Sequence, residues 1–189
     1  MLVAGWERAE IYTIGHSTRT FDDLVALLKQ YGVVTLADIR TVPRSRTNPQ
    51  FNRDVLAEAL PRVGIAYVHL ARLGGLRKGR GDASPNKEWR NLSFRGYADY
   101  MQTAAFADGL EELRLLTAAG PAALMCAEAV PWRCHRSLVA DALLVRGVPS
   151  RDIQSSNKAE PHKLTPFAQV DGLQITYPPS PDETAGDAP

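Results

Sequence analysis

Residues 122–147, AALMCAEAVPWRCHRSLVADALLVRG, join an apolar run, a loop of reactive side chains and a helical pattern. The run AALMCAE at 122–128 is short and apolar, which is typical of a buried β-strand. Segment 136–147 is predicted to be a helix, with an apolar face that includes Leu138, Ala142, Leu143 and Val145. A buried strand followed by a helix is the repeating unit of parallel α/β sheets.

The same alternation of patterns runs outward through the chain. Further strands are predicted at 9–14, 33–39, 65–70 and 148–153, and further helices at 21–32, 52–60, 95–104 and 107–119. Thr20 and Asp23 form a predicted capping box, and Asp171-Gly172 predicts the turn of a small C-terminal hairpin. We predict an α/β fold with one domain over residues 9–177, a mostly parallel sheet with helices on both faces (Rossmann-like), and a disordered tail at 178–189.

Composition favours a protein of the cytoplasm. The 189 residues are 44% hydrophobic and 23% charged, and no apolar run approaches the roughly 20 residues that span a bilayer. Glu7, Arg8 and Glu10 interrupt the N-terminus, so no secretory signal is expected. Two cysteines do not make a disulfide framework, and free thiols are predicted. We expect no membrane partner, and the sequence does not indicate an oligomeric state.

The net charge of +1 hides an uneven distribution. Residues 40–95 contain twelve Arg or Lys residues and four acidic residues, a local charge of +8. Such a segment favours an anionic partner such as a nucleotide or nucleic acid. The alternative is an arginine-rich surface that only contacts solvent.

Reactive residue types follow four of the predicted strands. Ligands of open α/β sheets bind beyond the carboxyl ends of the strands, so these residues predict a shared pocket. We predict that catalytic groups are His16, Cys126, Glu128, Cys134 and His135. We predict that substrate is bound by Ser17, Arg40, Arg44, Ser45, His69, Gly74, Gly75 and Arg136.

Four motifs that lie in order along the chain carry these residues. They are TIGHS (13–17), DIRTVPRS (38–45), YVHLARLGG (67–75) and CAEAVPWRCHR (126–136). Together they resemble the family known as domain of unknown function 488. The resemblance implies an α/β domain and no particular activity.

The cysteine-rich motif allows several chemistries. Cys134, His135 and Arg136 open a predicted helix, where unpaired N–H groups and a guanidinium favour an anion and would lower the pKa of a thiol. Cys134 is therefore a candidate nucleophile or redox centre, or a half-buried cysteine that only packs. Cys126 is a pocket residue or core packing. Glu128 is a general base or an ion-pair partner of Arg133, Arg136 or Arg40.

The two histidines that follow the other strands have similar alternatives. His16 is an acid–base group, a phosphate ligand or a tie between loops, and His69 is a ligand or a core histidine.

We predict neither a metal nor a cofactor. The Cys126–Cys134 spacing does not match structural zinc sites, and neighbouring Cys134 and His135 are not expected to reach one ion. A redox disulfide also lacks the usual C-x-x-C spacing. The glycines of LGGLRKGRG match neither a Walker loop nor a dinucleotide fingerprint.

Three functional hypotheses follow. The first is an enzyme whose anion-binding pocket acts on a nucleotide or nucleic acid through His, Glu and Cys chemistry. The second is a non-catalytic nucleic-acid-binding module. The third is a cysteine-dependent sulfur-transfer or redox enzyme that acts on a small anion.

Overall fold

The fold is that of a mixed α/β protein, seen in a computed structural model that describes residues 3–179. The main sheet contains β1 (Ile11–Gly15), β2 (Thr35–Asp38), β3 (Ala66–His69), β4 (Ala122–Cys126), β5 (Ser150–Ser155) and β6 (Lys158–Pro161). A separate hairpin contains β7 (Gln169–Asp171) and β8 (Gln174–Thr176). The helices are α1 (Phe21–Gln30), α2 (Arg53–Arg62), α3 (Leu92–Tyr100), α4 (Ala104–Leu116) and α5 (Arg136–Val145). Residues 180–189 of the predicted tail lie outside the described residues.

The sheet has the strand order β3-β2-β4-β1-β5-β6. All neighbours are parallel except β5 and β6, which confirms the predicted mostly parallel sheet and its C-terminal hairpin. Strand β6 was not predicted from the sequence. Dinucleotide-binding sheets have the order 3-2-1-4-5-6, whereas here β4 lies between β1 and β2.

Two apolar cores cover the two faces of the sheet, as predicted. Side chains of α1 and α2 pack on one face, and those of α3, α4 and α5 pack on the other. Neighbouring residues of β4 alternate between the two cores, so that Ala123 and Met125 face α1 and α2 while Leu124 and Cys126 face α5. Burial on both faces explains why this strand reads as a continuous apolar run.

Local signals in the sequence fix several element ends. The Thr20 hydroxyl accepts a hydrogen bond from the Asp23 N–H, and the Asp23 carboxylate accepts one from the Thr20 N–H. This confirms the predicted capping box at the start of α1. Gly172 adopts a φ of +58° in the predicted hairpin turn, a conformation that glycine adopts without a steric cost.

The strand connections open a crevice at one edge of the sheet. Strands β1 and β4 are neighbours, with Gly15 opposite Cys126. The helix that follows β1 packs on one face, and the helix that follows β4 packs on the other. The two loops therefore leave the sheet in opposite directions, which creates a binding crevice at the carboxyl ends of these strands. Within residues 3–179, no helix is long and apolar enough to cross a membrane.

Candidate functional site

A cavity of about 570 Å³ lies at this crevice. Its walls come from the loops after β1, β2, β3 and β4 and from the start of α3. Ten of the thirteen predicted site residues line it, namely His16, Ser17, Arg40, Arg44, Ser45, Gly75, Cys126, Glu128, Cys134 and His135. The convergence of loops from four strands therefore places most of the predicted residues in one space.

Three predicted site residues do not line the cavity. His69 bonds through Nε2 to the carbonyl oxygen of Arg40, 2.8 Å away, and so joins β3 to the loop after β2. Gly74 packs against Thr41, and a Cβ atom there would lie 2.8 Å from the Thr41 hydroxyl. Arg136 is fully buried and directed to the other side of the loop after β4.

Arg136 uses its guanidinium to hold that loop. Its Nη1 and Nη2 donate to the carbonyl oxygens of Glu128 and Ala129, and its Nε lies 3.4 Å from the carboxylate of Asp152. The first N–H groups of α5 are also occupied, because Arg136 N lies 3.5 Å from the Cys134 sulfur and Ser137 N bonds the Cys134 carbonyl oxygen. The guanidinium and N–H groups at the start of α5, which were predicted to bind an anion, therefore stabilise the loop instead.

Arg40 and His16 form a buried network at one wall of the cavity. Arg40 makes a two-pronged ion pair with Asp38, with contacts of 2.9 and 2.5 Å, and also donates to the Phe51 carbonyl oxygen. Its remaining nitrogen lies 3.3 Å from His16 Nε2, while His16 Nδ1 bonds the Ser17 carbonyl oxygen. The pKa of His16 is lowered by burial and by the nearby Arg40 charge, which favours a neutral imidazole.

The backbone beside this network is unusual. Ser17 has a φ of +48°, and it is the one residue other than glycine among residues 3–179 with a positive φ. Its N–H bonds the Ala127 carbonyl oxygen, which ties the loop after β1 to the loop after β4. Sparsely populated backbone conformations of this kind concentrate at functional sites.

Cys126, Cys134 and His135 form a compact cluster in the cavity wall. His135 Nδ1 lies 3.9 Å from the Cys126 sulfur and 3.7 Å from the Cys134 sulfur. The two sulfurs and this nitrogen all lie within 4.8 Å of one another. The expectation that neighbouring Cys134 and His135 could not reach one ion is therefore wrong. Cys134 has an extended backbone and His135 a helical one, and this change turns both side chains to the same side.

The two thiols influence each other's protonation. A hydrogen bond from Cys134 lowers the pKa of Cys126, and His135 lowers it further, against the opposing effect of burial. The same hydrogen bond, together with burial, raises the pKa of Cys134. One proton shared between two close sulfurs has this effect, since the second thiol cannot ionise easily beside a thiolate. Both thiols are free and buried.

Two glycines make room for this arrangement. A Cβ atom on Gly15 would lie 1.7 Å from the carbonyl oxygen of Glu128, so only glycine lets the loop after β4 cross the end of β1. A Cβ atom on Gly75 would lie 2.4 Å from Nδ1 of His135. Gly75 was predicted to approach a substrate, and the structure shows that it approaches the imidazole.

Comparison with protein-family models gives the same family that the sequence motifs resemble. A family model described as "Domain of unknown function DUF488" matches residues 20–143. The chain belongs to this family. No curated protein and no solved structure matches the chain. In this DUF488 protein the match covers the loops after β2, β3 and β4, while His16, Ser17 and Thr18 of the cavity wall precede it.

Charged groups at the mouth of the DUF488 cavity are available to a ligand. Arg44, Glu128 and Arg133 are exposed, and within residues 3–179 their side chains have no hydrogen-bond or ion-pair partner. Apolar Val42 and Leu76 flank them and are 62% and 71% exposed. The mouth thus combines two cations and one carboxylate with an apolar rim.

Sequence reasoning missed several lining residues of the DUF488 cavity. Thr41, Ser93 and Phe94 belong to it, and the Thr41 hydroxyl accepts a hydrogen bond from Leu76 N. Ser93 and Phe94 are far from the strand ends in sequence, and only the fold of α3 over the cavity brings them in. Arg133 was considered only as an ion-pair partner, although its place within the cysteine-rich motif could have indicated the cavity.

Proposed function

We propose that this protein is an enzyme that binds a phosphate-bearing substrate, a nucleotide or a single-stranded nucleic acid, in the cavity at the ends of β1 and β4. The observation that supports this most strongly is the position of Arg44 and Arg133 at the mouth of a cavity whose wall contains Cys126, Cys134 and His135. Cations and reactive groups therefore line one space.

The mouth suits a phosphate and the rim suits a base. An unpaired guanidinium offers a planar fork of N–H donors that fits phosphate oxygens. Val42 and Leu76 offer exposed apolar surface, and Phe94, whose ring stacks on Trp89 at 4.8 Å, also lines the cavity. Bases stack on aromatic side chains whatever their sequence. A cavity of about 570 Å³ is within the usual range for small-molecule sites.

The wall supplies the reacting groups. Arg40 is neutralised by Asp38 and donates most of its N–H groups to protein atoms, so it supports His16 in this proposal and does not grip the anion. The exposed residue Glu128 lines the cavity, and so do Cys126, Cys134 and His135, whose two sulfurs and Nδ1 lie within 4.8 Å of one another. These groups can transfer a proton and attack an electrophile.

Binding of nucleoside monophosphates and short oligonucleotides, measured by calorimetry, tests the anion site. Arg44→Ala and Arg133→Ala should each raise Kd roughly tenfold to a hundredfold, because a hydrogen bond to a charged group contributes about 1.5–3 kcal/mol. Arg46→Ala is the matched control, since Arg46 is exposed on the same loop but does not line the cavity. Equal effects of Arg44→Ala and Arg46→Ala would contradict the proposed site.

Turnover of the same compounds, followed by mass spectrometry of the products, tests the enzymatic role. We expect a new product with the wild-type protein and none with Cys126→Ser. Nucleotide binding without any product, unchanged in Cys126→Ser, would favour the non-catalytic binding module. Turnover of a small sulfur-containing anion by a protein that does not bind nucleotides would favour the cysteine-dependent sulfur-transfer enzyme.

A further inference from the structure

We propose that Cys126, Cys134 and His135 bind one Zn²⁺ ion through two thiolates and an imidazole, with a fourth coordination position open to the cavity. The ligand atoms are the two sulfurs and Nδ1 of the imidazole. Among residues 3–179, no other group of three His, Cys, Asp or Glu side chains has its ligand atoms this close together.

The distances match tetrahedral coordination. With Zn–S bonds of about 2.3 Å and Zn–N bonds of about 2.0–2.1 Å, ligand atoms of a tetrahedral site lie roughly 3.5–3.8 Å apart. His135 Nδ1 lies 3.7 and 3.9 Å from the two sulfurs. An ion therefore fits between the three atoms with small movements of the side chains.

The second nitrogen of His135 prepares the first one for a metal. Nε2 lies 2.9 Å from the carbonyl oxygen of Ile39, an acceptor only, so Nε2 must carry the ring proton. In the neutral imidazole Nδ1 then carries the lone pair, and it lies 3.7 and 3.9 Å from the two sulfurs. Metal-binding histidines have this arrangement, because a backbone carbonyl that accepts the other N–H fixes the tautomer and the ring orientation.

The surroundings of the sulfurs also suit thiolates. The backbone N–H of Arg136 lies 3.5 Å from the Cys134 sulfur and can donate to it. Gly75 packs against the imidazole, and a side chain at this position would collide with the ring. Two sulfurs and one imidazole favour zinc over the harder cations Mg²⁺ and Ca²⁺, which prefer oxygen ligands.

The open coordination position would place the ion in contact with a substrate in the cavity. This part of the inference rests on the proposed function. Sites with three protein ligands usually keep a water or the substrate in the fourth position. All three ligand residues line the cavity, as does Glu128. A water at that position would be acidified by the ion, and Glu128 is the carboxylate available to accept its proton.

Titration of reduced, metal-free protein with Co²⁺ and then Zn²⁺, without any substrate, tests the site. We expect one Co²⁺ per chain, the strong visible absorption of a tetrahedral ion, a thiolate-to-cobalt charge-transfer band, and complete displacement by one equivalent of Zn²⁺. Cys126→Ser and Cys134→Ser should each remove about half of the charge-transfer band and weaken binding at least about tenfold. His135→Gln should weaken binding to a similar degree and retain the charge-transfer band.

His162→Gln is the matched control. His162 bonds Asp141 at 2.7 Å and does not line the cavity, so this variant should keep the wild-type stoichiometry and spectrum. No saturable binding by the folded wild-type protein, or a spectrum without a charge-transfer band, would overturn the inference even where the cysteine variants fail to fold. A spectrum that all three ligand variants preserve would also overturn it.

The metal and the proposed function can fail separately. One equivalent of Zn²⁺ without any nucleotide binding would leave the metal site standing and refute the proposed substrate. Nucleotide turnover by a protein that binds no metal would support the proposed function and refute the metal site.

Discussion

Arg136 acts on the site through the backbone. Its guanidinium bonds the carbonyl oxygens of Glu128 and Ala129, and so it sets the path of the loop that carries Glu128 into the cavity. Its ion-pair partner Asp152, on β5, is buried and also accepts a hydrogen bond from Thr13. Burial raises the pKa of Asp152, although Arg136 and Thr13 act in the opposite direction. One buried cation therefore joins β5 to the loop after β4.

Arg136→Met should destabilise the protein by about 3 kcal/mol at pH 7, because it leaves a buried carboxylate without its partner. The folded pKa of Asp152 lies above its unfolded value, so stabilisation by its proton is present in acid and is lost as the pH rises through the folded pKa. Without Arg136 that pKa should rise further. Urea denaturation should therefore show a clearly smaller loss at about pH 4, near the unfolded pKa of an aspartate.

Arg151→Met provides the comparison for this measurement. Arg151 is an exposed neighbour on β5 and donates only a 3.3 Å hydrogen bond to the Ala159 carbonyl oxygen. Its loss should cost less than about 0.5 kcal/mol at either pH. A loss in Arg136→Met that does not change with pH would show that Asp152 does not couple to this arginine.

The long connection between β3 and α3 is fixed to α3 by one carboxylate. Asp99 of α3 accepts hydrogen bonds from Arg80 N, the Ser84 hydroxyl and the Asn86 amide, at 2.6 to 2.8 Å. Asn86 in turn accepts a bond from the backbone N–H of Tyr177 beyond β8. A connection of this length without regular structure is usually functional or mobile, and here buried polar bonds order it over the helix that lines the cavity.

Asp99→Asn should loosen this connection while the sheet stays folded. The amide loses the charge that strengthens three hydrogen bonds, and we expect a local loss of about 2–3 kcal/mol. Hydrogen exchange of the amides in residues 77–91 should accelerate, and limited proteolysis should cut there first. Asp82→Asn is the control, because Asp82 is exposed on the same connection and has no partner within residues 3–179. Equal protection in both variants would contradict the role of Asp99.

Elements with strong local signals were predictable, and those defined by their neighbours were not. The capping box of α1 and the turn at Gly172 are encoded within a few residues, and both are present. Strand β6 is a polar edge strand that ends in Pro161, so neither alternation nor β-branched residues mark it. The place of β4 between β1 and β2 depends on contacts distant in sequence, which no local pattern carries.

Some features of the candidate site were likewise predictable from the sequence, and others were not. In a parallel sheet, the residues that follow the strands meet at one edge, so their convergence was predictable. Ten of the predicted residues do line one cavity. Where each side chain points depends on its backbone. Arg136 turns away from the cavity because the carbonyl oxygens of the loop before it require a donor. Cys134 and His135 point together because an extended residue precedes a helical one.

The basic middle of the chain is only partly available to an anion. Within residues 40–95, Arg40 and Arg62 pair with Asp38 and Glu58, and Arg77 packs over the ring of Tyr100. Arg44 is an exposed cation of this segment that lines the cavity, and Arg133, which lies outside the segment, lines it as well. Only a part of the positive charge of residues 40–95 therefore lies at the cavity.

Binding of a short single-stranded oligonucleotide should weaken as salt rises. Each cation that contacts a phosphate contributes about 0.7 to the slope of log K against log salt, because contact releases counterions. Arg44→Ala and Arg133→Ala should therefore each flatten the slope by about 0.7, as measured by fluorescence anisotropy at several salt concentrations. Arg62→Ala, whose charge already pairs with Glu58, should leave the slope unchanged. Identical slopes in all four proteins would refute phosphate contact by these arginines.

The opposite exits of the loops after β1 and β4 separate the framework from the chemistry. The crevice exists because two neighbouring strands send their helices to different faces, and apart from Cys126 the buried residues of these two strands do not line the cavity. Grafting a different segment between Cys126 and Arg136 would therefore replace Glu128, Arg133, Cys134 and His135 while the strands and helices beneath the loop stayed in place. Such chimaeras, purified and assayed side by side, would show whether the same strands and helices can carry a different activity.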